Sequence, residues 1–564
     1  MRSIAHAAFG IAVTAIIARA LDQPWLAQQL GDAWIVDALR GGIAVATITG
    51  TVLSLMSGYV SREYARAFRH DALSACALLV AIFVLALGGI SRDIAGLVLV
   101  GVVVLRLMPA AWWTIRYGAP TLLVFALCLA FYAPLAGWRV AASLPLGDQV
   151  FYVLSAEKIT RGSLDATIDP RRFYELIGVD PQPVDSATHV AATPAGPRLV
   201  QGYALPAILV PGWLLGGEVG ATLVIAFFAA WTATQTWLLL GETVGDRPAS
   251  RVAWAFTTFC APLALAAVHV YPNAVGAAVI ATGYRLAFTA RHRQLAIAGA
   301  LLGGTALLNP RDGFVLLALV PFIRDWPRAQ IVRFLVGVVA LGLVAALLSL
   351  VTFGTPLPYI GYVFGTAAAQ TIDPEPTWTF RFWIGLPAIL FDRVFGIAGT
   401  APWVFIAALG AATALRARHA MLLPAAFATT TSLILLSLFR LWEGGYAPPN
   451  RYLVDVLPLA TPFVAYGLIV ASAPIVRVVC AAAIAVSALM TAVLLAVPSA
   501  ALNTAFEDKP RELLASALGI DPLGWLPSFQ PTTPDWWIAA YLRLIPAVLI
   551  VALLGLFGWR RARA

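Results

Sequence analysis

The groups in this chain that could do chemistry are an acid at the head of a helix and a few basic residues near apolar segments. Asp148 lies in PLGDQVFY, residues 145–152, directly before the helix-like stretch Leu154–Arg161. A carboxylate at a predicted helix N-cap either caps the helix, worth about 1 kcal/mol, or accepts a proton from a bound hydroxyl. Arg311 and Arg451 sit at the mouths of apolar runs. Each guanidinium either snorkels toward lipid headgroups or stabilises negative charge in a site of low dielectric. Lys158 is set apart by composition, because it and Lys509 are the only lysines. It lies about three helical turns beyond Asp148, so it meets the same anion only if the loop folds back. Otherwise it is a solvated surface lysine.

The elements that position these groups follow from composition. A chain of 564 residues that is 60% hydrophobic and 12% charged, with mean hydropathy +0.85, cannot bury its apolar surface in a soluble core and keep a wettable exterior. The apolar residues gather in runs of about 15 to 22, and a bilayer-spanning helix needs roughly 20. Runs such as ATLVIAFFAAWTATQTWLLL do not alternate as barrel strands must. The fold class expected is therefore an all-α polytopic membrane protein. The net charge of +9 comes from basic residues scattered among helix ends, a topology signal and not the clustered footprint of a nucleic-acid binder. Cys76, Cys128, Cys260 and Cys480 all fall inside apolar runs, without metal-ligand spacing and unable to staple an exported domain. Met1–Ala20 resembles a cleavable signal but is read as an uncleaved first helix.

Arg and Lys favour cytoplasmic loops, which gives each apolar run a direction. Before the first long polar stretch the expected spans are Ile4–Ala20, Ile43–Val60, Leu73–Leu87, Ala95–Trp113 and Pro120–Ala136. After it come Ala221–Leu240, Val252–Ala267, Ala274–Ala290, Leu295–Leu308, Gly313–Ile323, Phe334–Leu350, Ile397–Leu415, Leu422–Phe439, Leu453–Ala471, Val478–Val497 and Trp537–Phe557. That makes about 16 transmembrane helices with both termini inside. A large first outer loop, 139–218, carries short helices. Its segment Tyr203–Gly217 holds Pro206, Pro211 and Gly212 and is expected to be re-entrant or surface-lying. The other long outer loops are 354–395, 440–451 and 498–536. No Walker sequence and no GxGxxG between strand and helix occurs, so chemistry is sought on the outer face.

Longer words extend the pattern. An acid just after the outward end of one helix is followed by QGYALPAILVPGWLLGG before the next. Then come HVYPNAVGAAVIATGYRLAF (269–288), LLGGTALLNPRDGFVLLALVPFI (301–323), FGTPLPY (353–359), ILFDRVFGIAGTAPWVF (389–405) and WEGGYAPPNRYLVDVLPL (442–459). In order and spacing these resemble the GT-C superfamily of membrane glycosyltransferases, specifically bacterial enzymes related to protein mannosyltransferases and aminoarabinose transferases. The resemblance covers roughly residues 120–497. It divides the chain into an added N-terminal transmembrane module (1–118), a GT-C-like catalytic core (119–497), and an outer loop with a final helix (498–564).

The resemblance implies an inverting transfer of a monosaccharide from a polyprenyl-phosphate donor to a cell-envelope glycan, lipid or protein. The reaction would occur at the outer face of a bacterial cytoplasmic (inner) membrane. Asp148 takes the base role of the family's first-loop acid, while Arg311, Arg451 and Lys158 are the candidates for the donor phosphate. His189 and Arg198, in SATHVAATPAGPRLVQG, resemble the region that contacts donor or acceptor. His269, Tyr271, Trp442, Glu443 and Tyr446 stand at other outer mouths and could stack on or hydrogen-bond a sugar. Interfacial Trp and Tyr equally form the ordinary aromatic belt. No acidic pair stands out as a divalent-metal site, so no cofactor and metal-independent catalysis are expected. The partners expected are the sugar donor, the acceptor and membrane lipids, with no nucleic acid. A transporter or flippase is the alternative, although no internal repeat is found. So is a diphosphate-dependent ligase or polymerase, which would place its key residues in a larger late loop than 498–536.

Overall fold

In lipid a backbone can satisfy its polar groups only by closing hydrogen bonds within a helix or around a barrel, and non-alternating apolar runs leave only the helix. The computed structural model describes residues 92–165, 190–200, 202–289, 294–356, 381–439, 442, 444, 447–502, 509–529 and 536–563. Within them the chain is all-α apart from one antiparallel ribbon, β1 (Val190–Thr193) paired with β2 (Gly196–Leu199). The helices of ten or more residues are α1 (Arg92–Tyr117), α2 (Thr121–Ala142), α3 (Asp148–Thr160), α4 (Ala204–Thr243), α5 (Pro248–Phe259), α6 (Asn273–Thr289), α7 (Leu295–Leu308) and α8 (Gly313–Ile323). They continue with α9 (Arg328–Phe353), α10 (Phe382–Phe391), α11 (Ile406–Arg416), α12 (Leu422–Ser437), α13 (Leu457–Val470), α14 (Pro474–Ala496), α15 (Lys509–Leu518) and α16 (Trp536–Arg563). Among the described residues, six apolar stretches have the length and hydropathy to cross a membrane: Thr121–Ala142, Ala204–Thr243, Arg328–Phe353, Arg451–Val470, Pro474–Ala496 and Trp536–Arg563. The expected spans Ile4–Ala20, Ile43–Val60 and Leu73–Leu87 lie outside the described residues.

Prolines divide several segments that hydropathy alone reads as continuous. The expected span Val252–Ala267 stops at Phe259 and resumes as one turn, Leu263–Ala266, because Pro262 disfavours helix in the residue before it. The expected span Ile397–Leu415 is likewise a turn, a 3₁₀ segment opened by Pro402, and then α11. The span expected over Leu453–Ala471 begins as a 3₁₀ turn, Arg451–Val456. It becomes α-helical only at Leu457, with Pro458 in the first turn, where its missing N–H costs nothing.

The segment Tyr203–Gly217 opens α4, which leaves helical geometry at Gly216 (φ −164°, ψ 29°) and Gly217 (φ 55°, ψ −135°). The left-handed φ at position 217 is open to glycine at little cost. There the chain doubles back. Gly212 and Gly220 meet so closely that a Cβ on either would strike the other's backbone, and Leu214 and Leu215 stand exposed at the tip.

The core is assembled around α2 through α6, with Trp254 and Trp403 fully buried. Their indole N–H groups donate to the carbonyls of Ala233 (3.0 Å) and Ala261 (2.8 Å), as buried tryptophans require. A second cluster joins α6 to α9 with α12 and α13. There α7 and α9 cross through Gly299 and Gly337, each against the other helix's backbone. Small residues of this kind bring helices together where no hydrophobic force acts between them. Replacing Gly337 by leucine is expected to cost about 1–3 kcal/mol by overpacking. Gly342→Leu on the same helix, where a Cβ meets nothing described within 4 Å, should cost little. Thermal unfolding of the two variants in detergent checks the difference.

Candidate active site

Asp148 is the first residue of α3, and the helix N-cap is Gly147, at φ 58°. Of the two alternatives for Asp148, the N-cap position is not the one it takes, since Gly147 holds it. The Asp148 carboxylate instead reaches Arg451, whose Nη1 and Nη2 both donate to Oδ2 at 3.3 Å. These bonds are longer than the ~2.7–2.9 Å of a tight charge-assisted pair, so the contact can be exchanged for another anion. Asp148 keeps 25% of its side-chain surface exposed while Arg451 keeps 9%, which leaves the acid as the accessible partner.

Arg451 is held from several sides. Its guanidinium lies over Tyr271 (4.4 Å to the ring centre) and Tyr452 (4.7 Å), and Nη2 donates to the Tyr452 hydroxyl at 2.9 Å. Gly444, at φ 90°, passes so near that a Cβ there would stand 2.9 Å from Arg451 Nε. Arg311 also lies over Tyr452, at 3.6 Å, and over Phe439, at 4.9 Å. Its Nε donates to Asn309 Oδ1 at 3.1 Å. The two guanidiniums expected from the sequence thus share one tyrosine ring, and cation–π contacts of this kind hold cations where water is scarce.

Behind Arg311 lie two further acids. The Asp312 Oδ2 and Asp455 Oδ1 atoms converge over Gly276, where a Cβ would sit 3.0 and 2.6 Å from them. Neither atom has a donor among the described residues, while Asp455 Oδ2 accepts from Asn273 Nδ2 at 2.7 Å. Burial first, and then the facing Asp455, push the Asp312 carboxyl well above the usual carboxylate range. A small cavity beside the pair is lined by Arg311, Asp312, Ser432, Tyr452 and Asp455.

A second polar layer lies under Asp148. The Arg139 side chain, with no exposed surface, pairs with Glu218 (2.5 Å) and donates to Gln149 Oε1 (2.6 Å). The backbone N–H of Val270 donates to that same oxygen at 3.0 Å.

Of the residues singled out from the sequence, Asp148, Arg451, Arg311 and Tyr271 come together here. Lys158 does not: it lies toward the far end of α3, about 15 Å away by helical rise, with Nζ donating to the Asp165 carbonyl. Arg198 sits on β2 and ties the ribbon to the Thr352 carbonyl at the end of α9 (2.7 Å). His269 is wholly buried, with Nδ1 2.8 Å from the Leu265 carbonyl and Nε2 without a partner among the described residues. Trp442 is half-buried and packs edge-on against Phe395. His189, Glu443 and Tyr446 lie outside the described residues.

Sequence reasoning missed Tyr452, Asp312, Asp455, Asn273, Arg139, Gln149 and Glu218. For Asp312 and Asp455 a signal was present, because acids within long apolar stretches are functional by default. Among the described residues, no group of three or more His, Cys, Asp or Glu side chains has a metal-binding arrangement.

Burial first, and then the nearby Arg139, push the His269 imidazole down to about 3 from the ordinary ~6.5. A depressed folded-state value stabilises the fold above pH ~6.5, and that stability is lost as pH falls toward 3, because only the unfolded chain takes up the proton. The thermal midpoint of the wild type in detergent should therefore fall more steeply between pH 6.5 and 4 than that of His269→Asn. Equal slopes would contradict a neutral buried histidine. No known family, no characterised protein and no solved structure matches this chain, so its site must be read from its own geometry.

Proposed function

We propose that this protein is an inverting glycosyltransferase that moves a monosaccharide from a polyprenyl-phosphate donor to a lipid, glycan or protein acceptor at the outer face of a bacterial cytoplasmic membrane. The observation that carries the reading is the meeting of one accessible carboxylate, Asp148, with two guanidiniums, Arg451 and Arg311, around Tyr452. The basic-loop count supports an outward-facing site, and the sequence resemblance to GT-C enzymes supports the reaction.

The chemistry asks little else of the site. The acceptor hydroxyl attacks the anomeric carbon, and its proton passes to Asp148 late in the step. The bond from that carbon to the phosphate oxygen breaks on the opposite face, and its electron pair leaves with the polyprenyl phosphate. Phosphate is a good leaving group, so the second acid that glycosidases use on an alkoxide is not required. What the leaving group needs is fixed positive charge where its own charge grows, in a site of low dielectric. Arg311 and Arg451 supply it. As the phosphate takes a share of Arg451, the 3.3 Å contact loosens and Asp148 turns to the acceptor.

The test is transfer of radiolabelled sugar from a panel of polyprenyl-phosphate monosaccharides to membrane extracts, with purified wild type and Asp148→Asn side by side. Wild type should transfer from one donor, and the variant should lose about 10²–10⁴-fold in turnover. Full activity in Asp148→Asn removes the base assignment. Absence of transfer from every donor points to a transporter or a diphosphate-dependent enzyme. Arg311→Ala should weaken donor binding by about 10- to 100-fold, the scale of a lost charge-assisted contact. Unchanged donor affinity in that variant ends the phosphate role of Arg311.

A further inference from the structure

Asp148 cannot serve as a base unless its carboxylate is aimed, and the N-cap of the helix it begins is a glycine. Its neighbour Gln149 has no exposed surface and points away from the site, into the layer beneath. The Oε1 atom of Gln149 receives two donors, Arg139 Nη2 at 2.6 Å and the Val270 N–H at 3.0 Å, while Nε2 donates to the Leu146 carbonyl at 3.3 Å. The amide has only one orientation here. Arg139 and a backbone N–H can only donate and a carbonyl can only accept, so exchanging O and N would lose all three bonds.

These partners come from every side of the site. Arg139 closes α2 and is itself paired with Glu218, next to the Gly216–Gly217 turn of α4. Leu146 precedes the left-handed Gly147 from which α3 starts. Val270 is one residue from Tyr271, the ring beneath Arg451. One buried side chain therefore holds both the helix that presents Asp148 and the loop segment, before α6, that supports Arg451.

We propose that Gln149 is the positioning residue of this site: clamped between Arg139 and Val270, it sets the angle at which Asp148 meets a bound hydroxyl. A hydroxyl as the bound group rests on the glycosyltransferase reading, whereas the clamp itself does not. Gln149→Met keeps the volume and removes the acceptor. In the full-length protein it should leave the donor KM within about twofold and lower kcat by roughly 10- to 100-fold, the range that a misplacement near 1 Å produces. The Val270 amide and the first-turn amides of α3 should exchange hydrogen faster. Gln149→Glu retains an acceptor for both donors, loses only the 3.3 Å bond to the Leu146 carbonyl, and should recover part of the lost turnover.

Wild-type kcat in Gln149→Met, or a loss of which Gln149→Glu restores no part, overturns the proposal. If the wild type transfers from no donor, the functional reading falls separately. Exchange then decides, and an unchanged Val270 amide in Gln149→Met overturns the clamp. Should Gln149→Met fail to fold, Gln149→Asn withdraws the oxygen by one methylene and is judged by the same two readouts.

Discussion

A guanidinium stripped of all water is costly to bury, by several kcal/mol even after relaxation, and Arg139 is such a group. Its cost is offset only where a carboxylate and other acceptors surround it, and most of the arrangement at this end of the bundle can be read as meeting that demand. Glu218 reaches Arg139 because α4 turns back on itself at Gly216–Gly217. Gln149 reaches it because α3 begins directly beneath. The same amide oxygen captures the Val270 N–H and so draws in the loop that leads to Tyr271. A charge unsuited to an apolar bundle becomes the point from which three chain segments are registered against each other.

The site above this layer is unusual in how it holds positive charge. Arg451 and Arg311 rest on aromatic faces, and the Arg451 pairing with Asp148 is long. Aromatic rings stabilise a cation without neutralising it, so both guanidiniums retain attraction for an arriving anion. The Asp312–Asp455 pair lies beside Arg311. An arrangement with one accessible carboxylate and two aromatic-seated guanidiniums suits the proposed transfer, in which a proton leaves a hydroxyl while negative charge gathers on a phosphate.

The helices that carry these groups meet through small residues. Glycines at the α7–α9 crossing and in the α4 hairpin let backbones touch, and Gly276 leaves room for the two acids above it. Within a membrane, where lipid competes equally for apolar surface, such contacts and the satisfied polar groups between helices do the work that hydrophobic burial does in water. The position of the site thus depends on backbone geometry as much as on the side chains that line it.

Much of this was legible in the sequence. Hydropathy and the absence of alternation determined a bundle of helices, and the position of an acid or arginine relative to an apolar run marked Asp148, Arg311, Arg451 and Tyr271, which do converge. These are local properties, set by how many residues lipid and a helical turn require. Which group meets which was decided only by tertiary structure. Asp148 and Arg451 are 303 residues apart, and no local pattern encodes that contact, the shared ring of Tyr452, or the burial of His269. Lys158 stood out by composition yet lies away from the site, because a straight helix carries it about three turns from Asp148. Arg139 read as the edge of a polar loop and is instead the most deeply buried charge described near the site, since its exposure depends on where α4 folds back and not on its own neighbours in sequence.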